Sequence, residues 1–309
     1  METHNKKCLI ICNPKSGKGI QEKVLRAYFG ILREYGYQVD FVTTRHQNHA
    51  MSLVRHAKDD YDVVFSVGGD GTLNEVVKGN HLREKKLTIC PLPNGTCNDV
   101  ASMYGYGNNP IDNLKMALEG EVHDVDIGTI NDTPFAYVVG MGKFMNIPYE
   151  TASEEKRKQG YLAYLKSGVF EIVNKMKRYQ AEVTVDGVRL DGSYSLIMVS
   201  NANHIAGIDH FYRDMSLDDG EMELLLCKSK NKRELLGSFV QFFLGQSTDN
   251  IISLKAHDVS IRLIDQPDKN WCIDGEEFKS SANEYRIRIG EKMKFLTPKL
   301  KGKKLFTKG

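Results

Sequence analysis

Net charge is the first thing this 309-residue sequence lacks: 42 Lys and Arg stand against 40 Asp and Glu, a formal balance of +2. Non-specific binding to nucleic acid needs a clustered cationic excess that neutralises several phosphates, so no nucleic-acid partner is expected. Long apolar runs are missing as well. Stretches such as CLIIC at 8–12 and LLLC at 224–227 fall far short of the ~18–20 residues a spanning helix requires, and no transmembrane segment is expected. The N-terminus, METHNKKCLIICNP, passes from a polar stub into a strand-like run with no apolar signal region or small-residue cleavage site, so secretion is not expected. The six cysteines, Cys8, Cys12, Cys90, Cys97, Cys227 and Cys272, include no C-x-x-C pair. Several lie in apolar runs, where a thiol behaves as a small hydrophobe, and they read as reduced, structural and cytosolic. Internal repeats and low-complexity linkers are absent, and the basic tail KLKGKKLFTKG is expected to fray or lie on the surface.

What remains is ordinary globular composition, 41% hydrophobic and 27% charged, at a length that exceeds one compact core and predicts two domains. From Lys7 to about residue 127, strand-like runs (KCLIICNP, YQVDFVTT, DVVFSVGGD, KLTICPLP) alternate with helical patterns over Gln21–Tyr35, Ala50–Lys58 and from near Leu73. Strands separated by such helices imply right-handed crossovers and a largely parallel sheet, an α/β domain. From about residue 128 the pattern becomes alternating strands, TPFAYVVGMG, YQAEVTVDG, GSYSLIMVSN, MELLLCKS and VSIRLI, with helices only around Tyr161–Met176 and Lys232–Leu244. That predicts an antiparallel two-layer β-sandwich. The last strand-like segment, EYRIRIGEKMKFL, either closes the sandwich or returns to the first sheet.

The strongest motif is VGGDGTLNEVVKG, Val67 to Gly79, in which glycines and Asp70 stand between an apolar strand and a helix. Glycine admits positive φ and close backbone approach, while a helix N-terminus offers unpaired N–H groups and partial positive charge. That suits phosphate, although a capped strand-to-helix turn uses the same residue types. Asp70 repels phosphate directly, and a bridging divalent cation makes its position favourable. NPKSGKG, Asn13 to Gly19, resembles a phosphate loop without matching the Walker pattern; Ser16, Gly17 and Lys18 offer hydroxyl, amide and ammonium groups, and a plain turn is the alternative. PLPNGTCND places Asn94, Gly95, Thr96, Asn98 and Asp99 in a turn after KLTIC. Ligands of open α/β sheets bind beyond the carboxyl ends of the strands, so Asp70, Asp99 and the phosphate loops should converge. Asp124 and Asp126 are placed at the end of that domain's last strand, as metal-screened carboxylates or as turn caps. In the second half, WCIDGEE carries Asp274 and Glu276 around a glycine, which is also good hairpin-turn chemistry. LDDGE, at 217–221, is either a turn or a structural cation site.

Together, NPKSGKG, GGDGTLNEVVKG, PLPNGTCNDVA, DIG, LDDGEMELLL and IDGE, in this order over about residues 7–300, resemble the diacylglycerol kinase catalytic-domain family. The likeness is nearest to its soluble bacterial lipid kinases, relatives of sphingosine and ceramide kinases. GGDGT alone is less specific, being shared with NAD kinases and phosphofructokinases. The resemblance implies a nucleotide-binding α/β domain over 1–127 with a C-terminal return at about 291–309, and a β-sandwich acceptor domain over 128–290. It implies ATP phosphates against Asn13, Pro14, Lys15, Ser16 and Gly17 and against Gly68, Gly69, Asp70, Gly71, Thr72, Leu73 and Asn74. Thr96 and one of Thr43 or Thr44 also belong at the nucleotide. Asp70, Asp99 and Asp126 are implied to form a water-linked network around ATP-bound Mg2+. Asp274 is implied as general base with Glu276 close by, and a structural Mg2+ is implied at the Asp219 side chain with the backbone carbonyls of Ser216 and Glu221. FYRDM, where the family often has a proline-aspartate-alanine step, and Cys97, where a small residue is common, depart from the pattern.

The activity so implied is ATP- and Mg2+-dependent phosphorylation of a lipid hydroxyl, diacylglycerol to phosphatidic acid, by a cytoplasmic protein transiently associated with the membrane surface. An NAD kinase or a non-catalytic nucleotide- or lipid-binding protein on the same scaffold are the alternatives. Docking candidates are the helix Leu235–Leu244, whose apolar stripe is expected to pack in the core, the tail lysines of 299–308 and the EEKRK run at 154–158. Exposed strand edges in the second domain make a homodimer plausible.

Overall fold

The computed structural model describes residues 6–142, 176–212, 214–264, 270–299 and 305–307. The helix expected over Tyr161–Met176 (all but Met176), the EEKRK run, Arg213 of FYRDM and all tail lysines except Lys299 lie outside them. The chain forms two compact units, one of Met1–Ile127 with Glu291–Gly309 and one of Gly128–Gly290.

The first unit is an α/β layer. Its strands are β1 (Lys6–Cys12), β2 (Tyr37–Thr43), β3 (Val63–Gly68), β4 (Thr88–Pro93) and most of β5 (Glu121–Ile130), and its helices are α1 (Glu22–Glu34), α2 (His49–Arg55), α3 (Asp70–His81), α4 (Asp99–Met103) and α5 (Pro110–Leu118). Pairing is parallel in the order β2-β1-β3-β4. Cys8 to Cys12 of β1 and every residue of β3 are buried, the continuous apolar reading of strands covered on both faces. Helix α1 buries Tyr28 and Leu32, four residues apart on one face. It stops where Gly36 takes φ +82°, a left-handed residue that ends the helix without steric cost. Asn109 caps α5 by accepting from the Ile111 N–H at 3.0 Å, with Pro110 at the first helical position. Burial holds the Cys8 and Cys90 thiols up at about 12 and Cys12 at about 11, as structural thiols; Cys97 alone among the six is exposed.

The second unit stacks two antiparallel sheets. Beyond β6 (Thr133–Phe135) and β7 (Val138–Gly142) it holds β8 (Tyr179–Val185), β9 (Val188–Arg189), β10 (Gly192–Tyr194), β11 (Leu196–Ser200), β12 (His204–Ile205), β13 (Ile208–Asp209), β14 (Met222–Cys227), α6 (Lys232–Phe243), β15 (Ile251–Ala256), β16 (Asp258–Leu263), β17 (Asn270–Ile273), β18 (Glu276–Lys279) and the first half of β19 (Glu284–Thr297). One sheet joins β10, β8, β16 and β19; the other runs β15-β14-β11-β7-β17-β18. Their facing residues form one core, Val183, Ile261 and Ile287 from the first against Val139, Val199, Leu224 and Trp271 from the second.

Several expectations are refined. The helix after the GGD turn starts at Asp70 rather than near Leu73, which puts Asp70 in its first turn. Asp124 and Asp126 lie within β5, not at its end, because the strand continues to Ile130. The last strand does both things left open: residues 284–288 pair with β16, and Phe295 pairs parallel with Ile89 of β4. The apolar stripe of α6 is not a core stripe, since only Ser238 and Phe239 are buried and Leu244 is 63% exposed. Its aromatic end packs sideways instead, Phe239, Phe242 and Phe243 against Phe211. The tail is anchored where it is described: Leu305 is buried and Phe306 stacks on His123 at 3.9 Å.

Candidate active site

In the first unit the order β2-β1-β3-β4 reverses direction at β1, so the crevice of an open α/β sheet falls beyond the carboxyl ends of β1 and β3. NPKSG leaves β1 and GGDG leaves β3 at that point. Main-chain bonds tie the ends together: Asn13 N–H donates to Val67 O, and Asn94 N–H donates to Gly68 O. The Asn13 side chain donates to Thr72 Oγ1 at 3.1 Å and accepts from the Lys15 N–H at 3.0 Å, which shapes the Pro14–Ser16 loop. Three glycines let the loops touch. Gly17 has φ +58°, and a Cβ there would lie 2.4 Å from the Asn94 carbonyl oxygen; a Cβ on Gly95 would lie 2.4 Å from Gly69 Cα. Asn98, itself left-handed at φ 54°, clamps Gly95 by accepting from its N–H at 2.8 Å and donating to its carbonyl at 3.0 Å. Thr44 N–H donates to Cys12 O, so Thr43 and Thr44 also end beside β1. Pro14, Lys15, Gly17, Thr43 and Thr96 are exposed and Ser16, Gly69, Asp70 and Gly71 half-buried, whereas Gly68, Thr72, Leu73 and Asn74 are buried and build the floor. The loops thus converge on one rim at the N-terminus of α3, the end of a helix that favours an anion.

Of the three aspartates, Asp70 accepts from the Val100 N–H at 3.3 Å in a weak bond. Asp99, in the first turn of α4, is 2% exposed, and Asp126 is fully buried with Lys292 Nζ at 3.2 Å. Carboxylates so desolvated require counter-charge, and an oxygen-only donor set suits a hard divalent ion. No three His, Cys, Asp or Glu side chains converge as a direct metal cage among the described residues, and Asp126 already has a counter-charge in Lys292. Sequence reasoning missed two residues here. Glu75 accepts from the Asn48 and Ala50 N–H groups at 2.7 and 2.9 Å and so holds the loop after Thr44 against α3. Its place inside the helix following GGDGT was the available signal. Lys292 reaches Asp126 from β19 across a sequence gap that no local pattern reveals.

In the second unit, Asp274 and Gly275 (φ 48° and 86°) form the two-residue turn between β17 and β18, so the hairpin reading is correct. Its carboxylate is also committed: Oδ2 accepts from the Ala136 N–H at 2.5 Å, and Oδ1 accepts from those of Tyr137 and Val138 at 2.9 and 3.0 Å. Three donors fix its orientation and stabilise the ionised form, while the side chain is 1% exposed. Glu276, the first residue of β18, is half-buried.

Asp274 N–H donates to Val138 O, and Val138, Ser200, Glu223 and Lys255 are successive cross-strand neighbours over β7, β11, β14 and β15. Since Val139, Val199 and Leu224 point into the sandwich core, this row faces outward. A cavity of about 460 Å³ opens on that face, lined by Phe211, Tyr212, Glu223, Phe242, Phe243 and Lys255 among others. At about 4.8 Å per strand, Glu223 lies roughly 10 Å across the sheet from Val138. Burial pushes the Glu223 carboxyl up to about 8, against the opposing pull of Lys255.

The LDDGE segment is a turn whose Asp219 is already engaged. Its Oδ1 accepts from the Glu221 N–H at 3.1 Å, and its Oδ2 meets Lys255 Nζ at 2.7 Å. Ser216 instead donates its hydroxyl to Asp218 at 2.8 Å. The Lys255 ammonium thus stands at the Asp219 carboxylate, where the resemblance implied a cation.

A diacylglycerol kinase catalytic-domain model matches residues 7–130, and a YegS C-terminal NAD kinase beta sandwich-like domain model matches residues 146–290. A diacylglycerol kinase of Staphylococcus aureus (strain JH9) is 30% identical over 88% of this chain and 86% of its own length. The chain belongs to the diacylglycerol kinase family. Another relative, a diacylglycerol kinase of Bacillus subtilis (strain 168), is 28% identical over 97% of this chain and 99% of its own. The fold is shared with a crystal structure of a diacylglycerol kinase from Bacillus anthracis str. Sterne, with TM-score 0.72, 22% identity and coverage of 95% of this chain and 97% of that one. As a member of that family the protein is a kinase, and no helix among its described residues is long and apolar enough to cross a membrane.

Proposed function

We propose that the protein transfers the γ-phosphoryl group of ATP to the hydroxyl of a membrane lipid, diacylglycerol in the first instance, giving phosphatidic acid and ADP. The observation that carries this reading is the convergence of three glycine loops at the sheet's switch point, where Gly17 meets Asn94 and Gly69 meets Gly95. Phosphoryl transfer asks a protein chiefly for placement and charge neutralisation, and a rim at the N-terminus of α3 favours both for a phosphate. Asp70, Asp99 and Asp126 would hold the magnesium of the nucleotide through water, and that ion supplies charge neutralisation at the β and γ phosphates.

Asp274 takes the proton of the lipid hydroxyl as its oxygen bonds to the γ-phosphorus and the bond to the β-phosphate breaks; a placed carboxylate contributes ~100-fold to 10,000-fold in such a step. Glu276 stands beside it in the same hairpin. An apolar acceptor is supported by the aromatic cavity in the same sheet as Asp274, of a size usual for small-molecule sites. The half-exposed apolar end of α6 supports reversible docking at a bilayer surface from the cytoplasmic side. A homodimer through β15 or β18, the terminal strands of the second sheet, belongs to the same reading and is checked by light scattering.

Radiolabelled ATP offered with diacylglycerol, ceramide, sphingosine, undecaprenol or NAD in mixed micelles tests the proposal. Labelled phosphatidic acid as the main product supports it. Labelled NADP would move the protein to the NAD kinase reading, which the likeness of its second domain to an NAD kinase sandwich keeps in view.

A further inference from the structure

The loop before β14 is organised by two carboxylates, Asp219 and Glu221, and by two cationic or potentially cationic side chains from the next strand and its end, Lys255 and His257. Lys255 Nζ lies 2.7 Å from Asp219 Oδ2 and 3.3 Å from Glu221 Oε2. The His257 ring approaches Glu221 Oε1 at 3.7 Å and the Gly220 carbonyl at 3.1 Å. We infer that the Lys255 ammonium is the resident cation of this loop, fixing residues 216–221 to the sheet in place of a divalent metal ion.

The argument rests on positions. Lys255 is the direct cross-strand partner of Glu223, so the antiparallel register of β14 and β15 delivers its side chain beside the turn that leads into β14. A lysine stem is long enough to reach back two residues along the partner strand, and its head offers three donors. Asp219 uses one oxygen for the Glu221 N–H, which closes the turn, and the other for the ammonium. Asp219 and Glu221 side chains are only 16% and 31% exposed, so solvent screens the pairs incompletely. A metal ion seated on the same carboxylate would stand within a few ångströms of a fixed positive charge, and mutual repulsion would expel one of the two. The loop's left-handed Gly220, at φ 79°, presents its carbonyl to His257, a second tie between the loop and the end of β15.

The inference stands independently of the phosphoryl-transfer reading, because its test contains neither nucleotide nor lipid. Thermal unfolding of the nucleotide-free full chain is measured in EDTA and in millimolar magnesium for the wild type, Lys255→Met, Lys255→Arg and Asp219→Asn. The expected result is a wild-type Tm that chelation leaves unchanged. Lys255→Met should fall by several degrees, and Lys255→Arg should stay near the wild type because it keeps the charge. Lys255→Met combined with Asp219→Asn should cost little more than Lys255→Met alone, since the two remove one interaction. A magnesium-dependent rise in wild-type Tm that Asp219→Asn abolishes would overturn the inference. So would a Lys255→Met Tm equal to that of the wild type. If Lys255→Met fails to fold, the wild type and Lys255→Arg in EDTA still decide: loss of either by chelation refutes the assignment.

Discussion

Asp274 joins two tasks in one side chain, since its carboxylate both gathers the N–H groups of residues 136–138 and stands as the proposed base. Replacement by Asn keeps the shape but leaves one acceptor atom for three donors. Asp274→Asn is therefore expected to lower stability by ~1.5–3 kcal/mol and to reduce kcat by at least ~100-fold, with ATP affinity nearly unchanged. Thermal melts, steady-state kinetics and nucleotide titration check the three parts. Glu276→Gln, which keeps the side chain's size and an acceptor oxygen at a half-buried position, should leave Tm near the wild type; if it abolishes turnover while Asp274→Asn does not, the base is Glu276. Gly95→Ala is a second test at this scale, because its methyl would sit 2.4 Å from Gly69 Cα and 2.8 Å from Asn98 Oδ1. A displacement of that order at a phosphate rim should weaken ATP binding by ~10-fold to 100-fold with the circular dichroism spectrum unchanged. The Asp-Gly turn was legible from the pair of residues alone. What the carboxylate does was not, because its donors lie well over a hundred positions away and are main-chain atoms that carry no sequence signature.

Among the elements, β14 shows how a strand can hold a tension between its two faces. Met222, Leu224 and Leu226 fill the sandwich core, and the outward position between the first two is a buried glutamate. The Glu223 carboxyl keeps its proton up to about 8 in the folded chain, against 4.5 for its ordinary value. The folded state therefore binds more protons across that window, and stability falls as pH rises through it. The contribution is fully present below about 4.5 and lost above about 8. Glu223→Gln removes this slope, so wild type and variant should be equally stable near pH 5 while the variant is ahead by a few kcal/mol near pH 9, on the order of 1.4 kcal/mol for each pH step crossed inside the window. Urea titrations at the two values read it. Strand alternation made the sheets legible, and the unbroken apolar runs of β1 and β3 announced buried parallel strands. Helix α6 misled because its leucines and phenylalanines repeat at core spacing, yet their partners are Phe211 and Tyr212 from an irregular segment rather than a continuous sheet face.

At the level of the whole molecule, the chain's final residues belong to the same compact unit as its first ones. Met293, Phe295 and Leu296 are buried there, Glu291 pairs with His81 and Lys86, and Lys292 neutralises Asp126. Each of the three apolar side chains is worth ~1.5–3 kcal/mol, a sum comparable with the ~5–15 kcal/mol that holds a typical domain together. A chain ending at Gly290 is thus expected to lose ATP binding and to expose its amino-terminal unit to limited proteolysis, while the strands of 176–290 keep their protection. Hydrogen exchange resolved by segment checks both halves of that statement. Composition gave two domains, but the return of 291–309 to the first came from the family resemblance alone, since β19 reads as a single alternating run.

The contacts that shape the proposed nucleotide rim are made by Gly17, Gly69 and Gly95 with the carbonyl and Cα atoms of their neighbours. A systematic replacement of side chains by methyl groups would thus find the rim through Asn13 and Asn98 and find little at Pro14 or Lys15. The close approaches themselves are legible only by adding atoms where none exist, so a library built to remove groups would overlook the glycines that let the loops meet.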